Sequence, residues 1–116
     1  MNYDTLEQVL GKAASEYAAA CKKHPVFPTR ISPVLYGEMK KWLAQVRADN
    51  EGDAGNRFSV HSVQTEEALE ALIEARRGNY KQAKLETLHL IATALRAYEL
   101  YDRLAKAKGA KRKAKK

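Results

Sequence analysis

Glu67 with Glu70, and Glu86 with His89, form two pairs of metal-seeking side chains, each spaced i, i+3. Residues three apart on a helix share a face, so each pair can present two ligand atoms in one direction. Grouped carboxylates suit a hard divalent cation, which favours oxygen ligands and retains positions for water and substrate phosphates. Such a cation neutralises oxyanion charge while a nearby carboxylate orients or deprotonates an attacking water, which is what phosphoanhydride cleavage requires. The first arm carries four acids, Glu66, Glu67, Glu70 and Glu74, within one arc of about 100°. The competing reading is that Glu66 and Glu67 complement the positive end of a helix dipole while Glu70 and Glu74 face solvent.

These residues must be positioned by the stretch Thr65 to Tyr101, which reads as two helices folded back on each other at Gly78-Asn79. Counted outward from that turn, Glu70 and Glu86 fall at nearly the same height, and so do Glu67 and His89. The mismatch is one residue, or about 1.5 Å. An antiparallel hairpin can therefore bring all four together if both faces point inward. The second arm carries Leu85, Leu88, Leu90, Ile91, Leu95, Tyr98, Leu100 and Tyr101 in too many directions for one core face, interrupted by a polar stripe of Glu86, His89, Thr93 and Arg96. Ionisable groups set among leucines need partners or a cation. A helix apolar all round is buried all round, so a second subunit is expected to cover what three further short helices cannot.

The pattern E-x-x-E, a spacer, then E-x-x-D on antiparallel helices resembles the MazG-like all-α nucleoside triphosphate pyrophosphohydrolases, with Glu67, Glu70 and Glu86 matching and His89 replacing the last aspartate. EEALEALIEARRGNY and LETLHLIATALRAYEL also look like the short phage-encoded relatives of that group, and the likeness spans Ser62 to Asp102. It implies a helical bundle that forms a homodimer or homotetramer, Mg²⁺ held by the acids, and cleavage of a (d)NTP to the monophosphate and pyrophosphate. Imidazole is a poor Mg²⁺ ligand and prefers Zn²⁺ or Mn²⁺, so His89 implies a different metal, a water-mediated contact, or nucleotide binding without turnover. Among secondary candidates, Arg96 lies on the His89 face and could meet a phosphate or pair with an acid such as Glu70. Arg76, Arg77, Lys81 and Lys84 surround the turn and could attract a triphosphate or simply be solvated.

The remaining elements are read as all-α, a four-helix bundle-like domain over residues 1–104 with the hairpin at about 62–78 and 80–104. Asp4 reads as the cap of a first helix running to Lys23 with a stripe of Leu6, Leu10, Ala13, Tyr17 and Cys21. The prolines of HPVFPTRISP end it, and Phe27 is expected to anchor that loop in the core. Ser32-Pro33 signals a second helix whose buried face is Leu35, Met39, Trp42 and Val46. The third begins between Ser59 and Thr65, with Leu69, Leu72 and Ile73 inward, and Asn79 with Gln82 is expected to cap the fourth. Cys21, the one cysteine, is read as a small apolar residue.

The net charge of +7 resides entirely in the seven cations from Lys106 to Lys116, so the body is balanced. The segment 105–116 is expected to be a disordered basic tail, able to engage nucleic-acid phosphates through Lys111, Arg112 and Lys113. No membrane span or secretory leader is read, which places the chain in the cytoplasm, that of a host cell if phage-encoded. The rival to the enzyme reading is a small helical interaction protein that binds a host protein or nucleic acid without catalysis and uses the hairpin only to dimerise.

Overall fold

Ser59 starts the helix against which two others pack. Its hydroxyl accepts from the Ser62 amide while Ser62 Oγ accepts from the Ser59 amide, a reciprocal cap that satisfies two free donors of the first turn. In the computed structural model, which describes residues 3–31, 35–52 and 57–114, with side chains over 5–31, 35–52 and 57–110, the chain is all-α. Its helices are α1 (Tyr3–Lys23), α2 (Tyr36–Glu51), α3 (Val60–Arg76) and α4 (Tyr80–Ala114). None of these is long and apolar enough to cross a membrane.

The chain divides into two compact units, Met1–Arg30 and Ile31–Lys116. The first holds α1 and the irregular segment after it. Helix α1 begins at Tyr3, so Asp4 lies inside the first turn instead of capping it. Phe27 is 86% exposed and does not anchor a core: the proline-rich segment has no regular secondary structure to fold the ring inward. Tyr17 and Cys21 are likewise exposed.

In the second unit α3 packs on both α2 and α4. The core is Leu43 of α2 with Leu69 and Ile73 of α3, flanked by Tyr36 and Met39. Val46 is also buried, whereas Leu35, Trp42 and Leu72 are about half exposed. The inward face of α2 is thus Met39, Leu43 and Val46, rotated from the expected one because Leu43 rather than Trp42 meets Leu69. The expected start at Ser32-Pro33 lies outside the described residues. Helix α2 is tied to the α3 cap by Ser62 Oγ, which donates to Asn50 Oδ1 at 2.7 Å, and by Asn50 Nδ2, which donates to the Ser62 carbonyl at 3.3 Å.

The hairpin turns at Gly78-Asn79 as expected, but Asn79 and Gln82 do not cap α4 together, because their side-chain amides are drawn to neighbouring carboxylates. Gly78 takes φ +80°, and the Asn79 and Gly78 amides donate back to the Glu74 and Ala75 carbonyls at 3.0 and 3.1 Å. This pair of bonds satisfies the last carbonyls of α3 and fixes the register of α4. Asn79 Nδ2 donates to Glu74 Oε2 and Gln82 Nε2 to Glu86 Oε1, so these amides brace the carboxylates around them.

Helix α4 does not end at the expected disordered tail but continues to Ala114. Ala, Lys and Arg are among the best helix formers, and extending an existing helix avoids the cost of nucleation, so one interior glycine, Gly109, does not stop it.

Candidate metal centre

Because α3 begins at Val60, Glu66 and Glu67 fall near the end of its second turn, beyond the first turn over which the dipole stabilises acids. Their presence there is not explained by helix-end electrostatics. Glu74 is explained: its two oxygens receive Arg77 Nη1 and Asn79 Nδ2, both at 2.9 Å, as part of the turn.

The remaining acids converge with His89 as the register requires. His89 Nδ1 stands 3.3 Å from Glu86 Oε2 and 3.9 Å from Glu67 Oε2, and Glu70 shares a hydrogen bond with Glu86 across the helices. One ligand atom each from Glu67, Glu86 and His89 lies within 4.8 Å of the others, and the same holds for Glu66, Glu67 and Glu70. Two atoms bound to one small ion at about 2.1 Å sit about 3.0–3.4 Å apart, so this cluster needs only side-chain adjustment to close on a cation.

The electrostatics are those of acids held close together and partly out of water. Burial pushes Glu67 above the usual carboxylate range, with His89 opposing and Glu86 and Glu66 reinforcing the shift. Its Oε2 is buried and has no hydrogen-bond partner. Burial, the hydrogen bond with Glu86 and repulsion from the neighbouring acids push Glu70 up to about 7. Burial also acts on Glu86, but the hydrogen bonds from Glu70, Gln82 and His89 outweigh it and bring that carboxyl below its ordinary value. Glu86 therefore ionises more readily than Glu70. An orphaned buried oxygen beside a shared proton is what a bound cation would relieve, so the donor set fits a divalent metal; the imidazole favours Mn²⁺ or Zn²⁺ over Mg²⁺.

Beside Glu70 and Glu86 a cleft of about 260 Å³ opens between α2 and the hairpin, with Lys40, Arg47 and Arg77 on its walls. Arg47 Nη2 lies 3.8 Å from Glu70 Oε1, so this arginine, not Arg96, is the cation facing Glu70. Tyr36 positions the other two: its hydroxyl accepts from Arg77 Nε at 2.8 Å and Lys40 Nζ sits 4.9 Å over its ring. The sequence reading missed Lys40 and Arg47. Their signal was a seven-residue repeat on the second helix, which places two cations on one face.

Arg96 instead lines a separate pocket of about 460 Å³ between the start of α3 and the middle of α4. Lys81 and Lys84 border a shallow hollow at the turn. They precede Glu86 by five and two residues, which rotates them about 140° and 160° from it, so the helix carries both to its far face. No family model matches the chain, and neither the characterised proteins nor the solved structures gave a significant match.

Proposed function

We propose that the α3–α4 hairpin is a metal-dependent nucleotide site of the MazG-like kind that cleaves a (d)NTP to the monophosphate and pyrophosphate. The observation that carries this reading is the convergence of Glu67, Glu86 and His89, with Glu70 beside Glu67 and with Glu67 Oε2 buried and unpartnered. Glu67, Glu70, Glu86 and His89 would hold the ion. Bound there, it supplies charge neutralisation to the phosphates. Lys40, Arg47 and Arg77 stand where a polyphosphate extending from the acids would lie. In the reaction a water oxygen bonds to the α-phosphorus, the bond from that phosphorus to the bridging oxygen breaks, and pyrophosphate departs. The carboxyl pair Glu70–Glu86 orients the water and takes its proton.

The deciding experiment is calorimetric titration of Mg²⁺, Mn²⁺ and Zn²⁺ into the protein and into Glu70→Ala, each with a non-hydrolysable dNTP present, followed by assay of dNTPs for monophosphate and pyrophosphate. Saturable binding with Mn²⁺ ahead of Mg²⁺, lost in the variant, together with release of both products supports the enzyme. Binding without products leaves a nucleotide-binding protein.

The second reading is a helical interaction protein, phage-borne or otherwise, that binds nucleic acid or a host protein. It is favoured by the continuation of α4 to Ala114, which carries five of the seven terminal cations on a helix. Retention on a DNA column that falls steeply with salt, disappears on removing residues 105–116 and is unchanged in Glu70→Ala would support it.

A further inference from the structure

The facing sides of α3 and α4 continue past the acids toward the start of α3. Val60, Val63, Glu67 and Glu70 occupy one face of α3, and Glu86, His89, Thr93 and Leu100 occupy the facing side of α4. Toward the start of α3 the character of this groove changes from carboxylate to apolar. Phe58, Val60, Val63, Ala97 and Leu100 line the pocket of about 460 Å³, with Arg96 and Arg103 beside them. Its volume is that of a small-ligand site, and its make-up, an apolar lining with a few convergent polar groups, is that of a pocket that receives a ring. Phe58 is 60% exposed although it immediately precedes the capped start of α3, so its ring is available to stack.

The pocket and the acid cluster are adjacent. Thr93, on the pocket wall, is one helical turn from His89, and its Oγ1 donates to the His89 carbonyl at 2.9 Å. Arg96 follows His89 by seven residues, about 10.5 Å along α4, and Leu100 by eleven, about 16.5 Å. A ligand with phosphates at the acids and a flat ring at Phe58 would pass Arg96 between them. Lys40, Arg47 and Arg77 lie on the other side of the acids, against α2. The two ends of the groove are therefore chemically distinct, one cationic and one apolar.

We infer that the pocket bounded by Phe58, Val63 and Leu100 is the subsite for the base of a nucleoside triphosphate, with Arg96 meeting the phosphate nearest the sugar. This rests on the nucleotide reading of the acid cluster and adds which end of the groove takes the nucleoside. It gives Arg96 a phosphate contact in place of a pairing with Glu70, which faces Arg47.

The test separates the two. Mn²⁺ binding is measured first, then the affinities of tripolyphosphate and of a dNTP with a non-hydrolysable α,β-imido bridge, both in Mn²⁺, for the native protein, Phe58→Ala and Phe58→Tyr. The native protein should bind the nucleotide about tenfold more tightly than tripolyphosphate. Phe58→Ala should lose that preference while keeping Mn²⁺ and tripolyphosphate binding, and Phe58→Tyr should retain it, as stacking on an aromatic ring requires. Phe58 is largely exposed, so its truncation leaves the fold intact, which an unchanged helical circular dichroism spectrum verifies. Equal affinity for the two ligands in the native protein, or an undiminished preference in Phe58→Ala, overturns the base subsite while leaving the metal site standing. Absence of Mn²⁺ binding overturns both.

Discussion

Glu67 on α3 and His89 on α4 face each other across the hairpin, Oε2 to Nδ1 at 3.9 Å, with the same Glu67 oxygen buried and lacking any hydrogen-bond donor. A carboxylate oxygen in that position is destabilising unless something positive approaches it, and His89, half exposed, is too far away to donate to it. The groove is thus arranged around an oxygen that its own protein leaves unsatisfied.

Glu67→Gln should separate stability from metal affinity. Removing the charge relieves the repulsion from Glu66 and Glu86, so the metal-free variant should unfold at higher urea, by about 1 kcal/mol. Mn²⁺, which should raise the native protein's melting temperature, should leave the variant's unchanged. Urea midpoints with EDTA and melting curves with Mn²⁺ check both halves. A variant that is less stable without metal would show that Glu67 serves packing alone.

Much of this site was legible in the sequence because a hairpin turn converts residue counts into heights. Once Gly78-Asn79 fixes the turn, the pairings Glu70 with Glu86 and Glu67 with His89 follow from the 1.5 Å rise. What was not legible depends on rotation between helices. Nothing in the spacing of Trp42 and Leu43, adjacent residues of the same apolar character, says which one meets Leu69, and the choice of Leu43 turns Arg47 toward Glu70. The continuation of α4 was hidden for a different reason: charge argues for a solvated segment, whereas Ala, Lys and Arg also carry the highest propensities to extend a helix already begun. Phe27 was misplaced because an aromatic between prolines offers no periodicity to say which way it points.

The turn that sets these heights should be sensitive at one residue. Gly78 has φ +80°, where any side chain is strained, although a Cβ there would meet nothing within 4 Å. Gly78→Ala should therefore cost about 1 kcal/mol through backbone strain alone, and Gly78→Asn less, since asparagine tolerates this conformation. Equal urea midpoints for native protein and Gly78→Ala would show that the turn has moved out of the left-handed region.

Helix α4 leaves an apolar seam in solvent on the side away from Glu86. Leu88, Ile91 and Tyr98 are 60%, 48% and 42% exposed and, with Leu95, repeat at the alternating three- and four-residue spacing of a helix-pairing face. A second copy pairing through this seam would bury it and leave the acid groove, on the opposite face, open. Light scattering after size exclusion should give a dimer or larger species for the native protein and a monomer for Leu88→Glu with Ile91→Lys. A native protein monomeric at 100-fold different loadings would rule the pairing out.

The shared proton gives the metal-free protein a pH dependence whose sign is fixed. Glu70 is raised from 4.5 to about 7 in the fold, so between those values the native state holds a proton that the unfolded chain has released. Stability conferred by that proton is full below the unfolded value and is lost as pH rises through 7, and Glu67, also raised, acts in the same direction. Glu86 is lowered, so its contribution is present above 4.5 and disappears only in more acidic solution, outside this window. With EDTA present, the native protein should lose on the order of 1–2 kcal/mol between pH 5 and 7.5, a figure reduced from the full shift because Glu70 retains some solvent contact. Glu70→Gln should flatten the profile without abolishing it, since Glu67 still titrates. Saturating Mn²⁺ should reverse the slope, because an ion that displaces the proton binds more tightly as pH rises. Urea unfolding at half-unit pH intervals measures all three profiles. Parallel slopes for the native protein and Glu70→Gln would mean that the Glu70 proton is not retained in the folded state.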